Sequence, residues 1–331
     1  MMASTTTVDN GVTRIQPPPT EANKRVGQSL TQLALRRLRK DYLTLLAMAT
    51  VMIMAVLAFT APITTGWLGV SYTDTNATRT FLPIGAPGHI LGTDDLGRDH
   101  LARLMYAGQV SLSVAFIAAT ISLVIGVSLG LIAGYYGGLA DDIINWVITT
   151  LNSIPSLFLL LLVAAAINNI DTPGPDTPPL AAYIIDLFKN GPFGLILVLG
   201  LIGWTGTARI VRGETLSLRE REFIVSARTI GATPLRIMFS HILPNLFSVI
   251  VITLAIDIGS LILVEAALSF LGLGIKPPTP SWGNMLTKAQ EFFTLGGHLV
   301  VLPGLLIFIT VLCLYVIGDG LRDAFDPTAK D

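Results

Sequence analysis

Residues 90–99 (ILGTDDLGRD) gather the densest reactive chemistry in the chain: Asp94, Asp95 and Asp99 with Arg98, interspersed with Gly92 and Gly97. Three carboxylates at this spacing first suggest a hard cation such as calcium. A calcium loop of the EF-hand type, however, needs alternating oxygens, a glycine at its sixth position and a glutamate at its twelfth. Leu96 and Gly97 interrupt the series and no such glutamate follows. A helix start fits better: Thr93 or Asp95 serves as cap, and the acids complement the positive helix end. The apolar stripe Leu101, Leu104 and Met105 then predicts an interfacial helix on the external side, leading into an apolar segment at Ser111. Elsewhere His89, His100, His241 and His298 are scattered without metal-site spacing. No G-x-x-x-x-G-K-[ST] phosphate loop occurs, and no Ser/His/Asp constellation is apparent. The expectation is a chain with no catalytic residue, no cofactor and no metal of its own.

The elements that carry these residues belong in a membrane. Soluble domains carry about 25% charged residues; this chain of 331 carries 13%, with 52% hydrophobic and a mean hydropathy of +0.68. So few charges cannot cover a soluble core. The single cysteine, Cys313, excludes an intrachain disulfide. A bilayer-crossing helix needs about 20 apolar residues. Six stretches qualify: 42–62, 111–135, 143–167, 195–210 (extended upstream through Gly191), 247–271 and 299–317.

Basic residues orient them. Lys24, Arg25, Arg36, Arg37, Arg39 and Lys40 precede the first span, and Arg209, Arg212, Arg219, Arg221, Arg228 and Arg236 lie between the fourth and fifth. By the positive-inside rule both segments, and both termini, are expected in the cytoplasm. The connection 137–142 should share that side yet carries only acids. The expected organisation is a disordered cytoplasmic tail (1–28), without the apolar core of a signal peptide, followed by an interfacial helix and first span (29–62). An external loop with an interfacial helix (63–110) comes next. A core of five spans (111–320) contains a cytoplasmic loop, 207–245, and a cytoplasmic tail (321–331) closes the chain. Leu30, Leu33, Leu35 and Leu38 alternate with arginines, which suits a helix lying on lipid rather than a nucleic-acid patch.

Within the spans, Gly126, Gly130 and Gly134 form one small face for close helix packing. Pro155, beside Asn152, is expected to kink the third span. Asp257 and Glu265 lie eight residues apart on nearly one face of the fifth, where a carboxylate costs about 2.5–3.5 kcal/mol and should face protein or water. The residues leave three readings open: a contact for a cationic part of a substrate, neutralisation by a partner chain, or, for Glu265, a place near the outer interface.

The loop 207–245 reads TARIVRGETLSLREREFIVSARTIGATPLRIMFSHILPN. Phe223, Ala227 and Ile230, then Leu235, Met238 and Phe239, recur at helical spacing. Gly231 suits a helix stop, Thr233 a cap and Pro234 the first position of a second helix. This predicts helix, sharp turn, helix, with an apolar face that needs a groove.

The segment resembles the cytoplasmic loop of ABC-importer permeases, Glu-Ala-Ala, three residues, Gly, nine residues, Ile-x-Leu-Pro. Gly231 and Leu243-Pro244 match; Val225-Ser226-Ala227 replace Glu-Ala-Ala, His241 replaces the isoleucine, and Glu222 lies three positions early. HILGTDDLGRDHLARLMYAGQVSL (89–112), GYYGGLADD (134–142), EAALSFLGLGIKPPTPSWGNML (265–286) and GDGLRDAFDP (318–327) look like the C-type permease subunit of dipeptide/oligopeptide importers. The resemblance implies an all-α, six-span permease of the type I ABC importer fold in a bacterial inner membrane, carrying dipeptides or oligopeptides. The same subfamily includes importers of nickel and other small solutes. Implied partners are a homologous second permease, two ATPase subunits that hold ATP and Mg, and an extracytoplasmic binding protein. Glu222, Phe223, Ser226, Ala227, Gly231, Ala232, Pro234, Leu235 and Met238 would form the coupling contact. Asn152, Pro155, Asp257 and Glu265 are the candidates for the translocation path. An ion-driven secondary transporter, the reading from a different class, would show inverted internal repeats; none is apparent, and it would leave the basic loop without a role.

Overall fold

The computed structural model describes residues 30–170, 174 and 178–325. The expected tail 1–28 and positions 326–331 of the expected C-terminal tail lie outside the described residues. Among the described residues the regular structure is helical, with only two isolated bridges, Ala86–His89 and Thr93–Asp99.

In chain order the helices are α1 (Leu30–Leu38), α2 (Tyr42–Phe59), α3 (Ala61–Leu68), α4 (His100–Tyr136), α5 (Gly138–Asn152), α6 (Ser156–Asn168), α7 (Pro179–Asn190) and α8 (Phe193–Arg219). There follow α9 (Glu222–Thr229), α10 (Pro234–Ile237), a π-turn at Met238–Ile242, α11 (Leu243–Asn245), α12 (Phe247–Phe270), α13 (Ala289–Leu295) and α14 (His298–Phe325). Five of them, α2, α4, α8, α12 and α14, are long and apolar enough to cross a membrane. The sixth expected span is the pair α5–α6, bent by 83° at a short break. Pro155, which has no N–H and clashes with the preceding turn, directly precedes α6. The expected kink is therefore a near right-angle break.

Three expected boundaries move. No separate interfacial helix precedes Ser111, because α4 runs unbroken for 37 residues from His100. Helix α8 continues to Arg219, so the first third of the loop expected at 207–245 is membrane helix prolonged. Helix α14 extends to Phe325, into the expected tail 321–331.

Apolar burial gives little preference between protein and lipid, so close backbone packing decides which helices meet. The glycine face of α4 does this within the chain. A Cβ at Gly126 would lie 2.9 Å from the Trp204 carbonyl oxygen, at Gly130 2.7 Å from that of Ala208, and at Gly134 2.8 Å from that of Arg212. The register rises together on both helices, so α4 and α8 run parallel. Around this pair Val114, Ala115, Ala118 and Leu199 join Ile262 and Leu268 of α12 in the main buried cluster.

Helix α14, antiparallel to α12 and α2, completes the bundle: Gly318 packs on Ile256, and Gly320 on Thr44 at the start of α2. The start of α2, the α4–α5 turn, α9–α11 and the end of α14 thus share one end of the bundle. The long loops 69–99 and 271–288 share the other.

Candidate functional site

Helices α9 and α10 form the turn the sequence writes. Glycine 231 sits at φ +86° with nothing within 4 Å of where a Cβ would stand, so the backbone conformation, not crowding, selects glycine. The Ala232 N–H donates to the Ala227 carbonyl (3.0 Å) and the Gly231 N–H to that of Arg228 (3.1 Å), the paired bonds of a Schellman cap. The Thr233 hydroxyl accepts from the Arg236 N–H at 3.4 Å, and Pro234 opens α10.

One face of this unit is fastened to the bundle. Ile224, Ile237, Ile242 and Leu246 are fully buried and pack with Leu131 of α4 and Val211 of α8. The Arg219 guanidinium donates to the Gly134 carbonyl at 3.1 Å, and Arg228 lies over the Tyr135 ring. The opposite face carries Phe223, Ile230, Leu235 and Phe239, of which Ile230 is 85% exposed. Among the expected coupling residues, Glu222, Phe223, Ser226, Gly231, Pro234 and Leu235 lie on the open side and Ala232 at its edge. Ala227 and Met238 are buried against the bundle, which separates them from the face they were expected to share. The seated face runs through Ile224, one residue on from the Phe223 register.

A second site lies between α4, α5, α6, α8 and α12. It is a cavity of ≈ 290 Å³ whose polar lining includes Ser122, Asn152, Ser156, Thr205, Asp257 and Ser260. Asp257 Oδ2 accepts from the Thr207 hydroxyl at 3.0 Å, and Asn152 Oδ1 accepts from the Thr205 hydroxyl at 3.3 Å. Gly203 and Gly206 line the α8 side, and a Cβ at Gly206 would meet nothing within 4 Å. The α5–α6 break turns Asn152 and Ser156 toward this space. Pro155 makes the break and does not itself line the cavity.

Glu265 is not with Asp257. It is wholly buried, accepting from Ser111 (2.9 Å) and Ser269 (2.7 Å). The Ser111 hydroxyl in turn accepts from the Trp282 N–H at 3.2 Å, and the Trp282 indole donates to the Leu104 carbonyl at 3.1 Å. This network clamps α4, α12 and the loop 271–288, so Glu265 holds structure rather than lining the cavity. Helical spacing alone set it on the path; Ser269 lies one turn away, but its other hydroxyl partner, Ser111, is 154 positions distant.

The 90–99 stretch is likewise consumed internally. Asp94 binds Arg98 (2.8 Å) and Arg103 (3.2 Å). Asp99 pairs with His89 (2.8 Å) and accepts from the Ala102 N–H (2.8 Å). Asp99, not Thr93 or Asp95, is therefore the cap of α4. Thr93 instead closes the loop through the Leu82 N–H and the Arg79 carbonyl. Asp95 binds Lys288 at 2.8 Å and holds its ammonium above the usual range.

Known proteins are similar to this chain over most of its length. Residues 126–331 match the model of the binding-protein-dependent transport system inner membrane component. The chain is 35% identical to the dipeptide transport system permease protein DppC of Alkalihalophilus pseudofirmus, over 95% of this chain and 94% of that one. It is 38% identical to the glutathione transport system permease protein GsiD of Pectobacterium atrosepticum, over 73% of each. It is 33% identical to the oligopeptide transport system permease protein OppC of Haemophilus influenzae, over 91% and 89%. With its bundle of apolar helices, the chain is a multi-pass membrane protein and belongs to the family of inner membrane components of binding-protein-dependent transport systems.

Proposed function

We propose that this chain is one of two homologous permease subunits in an ATP-driven importer, forming half of a path for dipeptides or oligopeptides. An extracytoplasmic binding protein delivers the cargo at the end bearing loops 69–99 and 271–288. Two ATPase subunits hold and hydrolyse ATP at the other end, which the arginine-rich loop marks as cytoplasmic, together with both termini. The membrane is the inner membrane of a bacterium. The relatives named for dipeptide, glutathione and oligopeptide transport support a peptide cargo.

The observation that carries the reading is the two-faced unit α9–α10. Its inward face is built into the bundle core, while Phe223, Ile230, Leu235 and Phe239 are left open to a groove on another protein. Such a unit moves with the helices it is fastened to. Closure of the ATPase pair around ATP biases the bundle between two arrangements through differential binding, with no chemistry in this chain. The test is co-purification from membranes expressing the full transporter. Leu235→Glu combined with Phe239→Glu is expected to lose the ATPase subunits while the second permease subunit is retained. Retention of both partners would count against the reading.

A further inference from the structure

The half-open cavity between α4, α5, α6, α8 and α12 carries one ionisable group and no counter-charge among its lining residues. Among its lining residues, all of them described, none is Lys, Arg or His, and Asp257 is the single acid. Among the described residues its carboxylate accepts a hydrogen bond from the Thr207 hydroxyl. A carboxylate at membrane depth is retained where it meets a cation, a proton or water. The remaining polar lining, Ser122, Asn152, Ser156, Thr205 and Ser260, consists of neutral side chains bearing oxygens that can accept from an ammonium group.

From this geometry we infer that the cavity is a cation-selective waypoint, in which Asp257 receives the free amino-terminal ammonium of a peptide in transit. The inference rests on the importer reading. The ammonium supplies three N–H donors, one for the carboxylate and two for neighbouring oxygens. The apolar side chains of Leu151, Leu159 and Val264 bound the rest of the space and suit side chains of varied shape. A single charge anchor with an otherwise unspecialised wall accepts many peptides through the group they share. Peptides whose amino terminus is blocked lose that anchor.

The test uses the assembled transporter with Cys313→Ala and a reporter Ser260→Cys in the cavity. Labelling by a cationic methanethiosulfonate reagent is compared with labelling by its anionic counterpart, with Asp257 present and with Asp257→Asn. The cationic preference is expected to be about tenfold and to fall close to unity in the Asn variant, a change equivalent to about 1.4 kcal/mol. A preference that Asp257→Asn leaves unchanged overturns the inference, as it would if a partner chain neutralised the carboxylate. In the second arm, alanyl-alanine should slow reporter labelling in the presence of Asp257 and lose that protection in the Asn variant. Isobutyryl-alanine, the same shape with a methyl in place of the ammonium, should protect poorly in both. Equal protection by the two compounds also overturns it. ATP-dependent peptide uptake by the unlabelled transporter is measured in parallel. Its absence would refute the importer reading, whereas uptake without charge preference would refute only the waypoint.

Discussion

Asp141 and Arg212 form a two-pronged ion pair across 71 positions of sequence, with Nη2 to Oδ2 at 2.6 Å and Nε on the other oxygen. The pair ties the acidic α4–α5 turn to the basic extension of α8. It explains how an acid-only connection sits at the arginine-rich end of the bundle: its charge is matched locally. Asn145 adds a donor to the same carboxylate at 2.6 Å.

Breaking the pair from either side should therefore weaken the bundle. Asp141→Asn and Arg212→Gln are each expected to cost about 1.5–3 kcal/mol, the range for hydrogen bonds to charged groups. Thermal unfolding of the detergent-solubilised transporter checks this. In a double-mutant cycle the two losses should be far from additive; additive losses would show that the residues act separately.

Glu265 and Asp257 should part company on mutation. Glu265→Leu leaves Ser111 and Ser269 without their acceptor inside the protein, and each orphaned hydroxyl costs about 1–3 kcal/mol. The amount of folded protein in the membrane should fall. Asp257→Asn should leave that amount normal and lower uptake. Quantifying the purified complex alongside uptake separates the two, and a normal level of the Glu265→Leu protein would remove Glu265 from the structural role.

Gly206 tests the cavity by filling it. Because a Cβ there meets nothing, Gly206→Leu should assemble normally and reduce uptake by narrowing the space. Gly130→Leu is the control: its side chain would strike the backbone of α8, with overpacking of this kind costing typically about 1–3 kcal/mol. It should reduce the amount of assembled protein. The idea fails if Gly206→Leu transports like the unaltered chain.

Much of this architecture was legible in the residues, for reasons that mark where legibility stops. Hydropathy locates spans because the bilayer imposes length and apolarity locally. Gly231, Thr233 and Pro234 declared their turn because caps are local chemistry. What escaped depended on remote partners. The start of α4 looked like a separate interfacial helix because Leu101, Leu104 and Met105 form an apolar stripe, yet Asp94 binds Arg103 and Trp282 of the loop 271–288 packs on that turn. Helical spacing put Glu265 beside Asp257, but Ser111, 154 positions away, decides where it points. The register of α9 missed Ile224 as the seated residue because both of its faces carry apolar side chains. Only the bundle shows which one is covered.

The exposed face of α9–α10 is probed most directly by proximity in the working complex. With Cys313→Ala, a cysteine at Ile230 should crosslink efficiently to an ATPase subunit through a short bifunctional reagent. A cysteine at Ile84, 56% exposed at the other end of the bundle, should not. Crosslinking from Ile230 alone is the expected result; no ATPase adduct from Ile230, or an equal one from Ile84, would contradict the docking assignment.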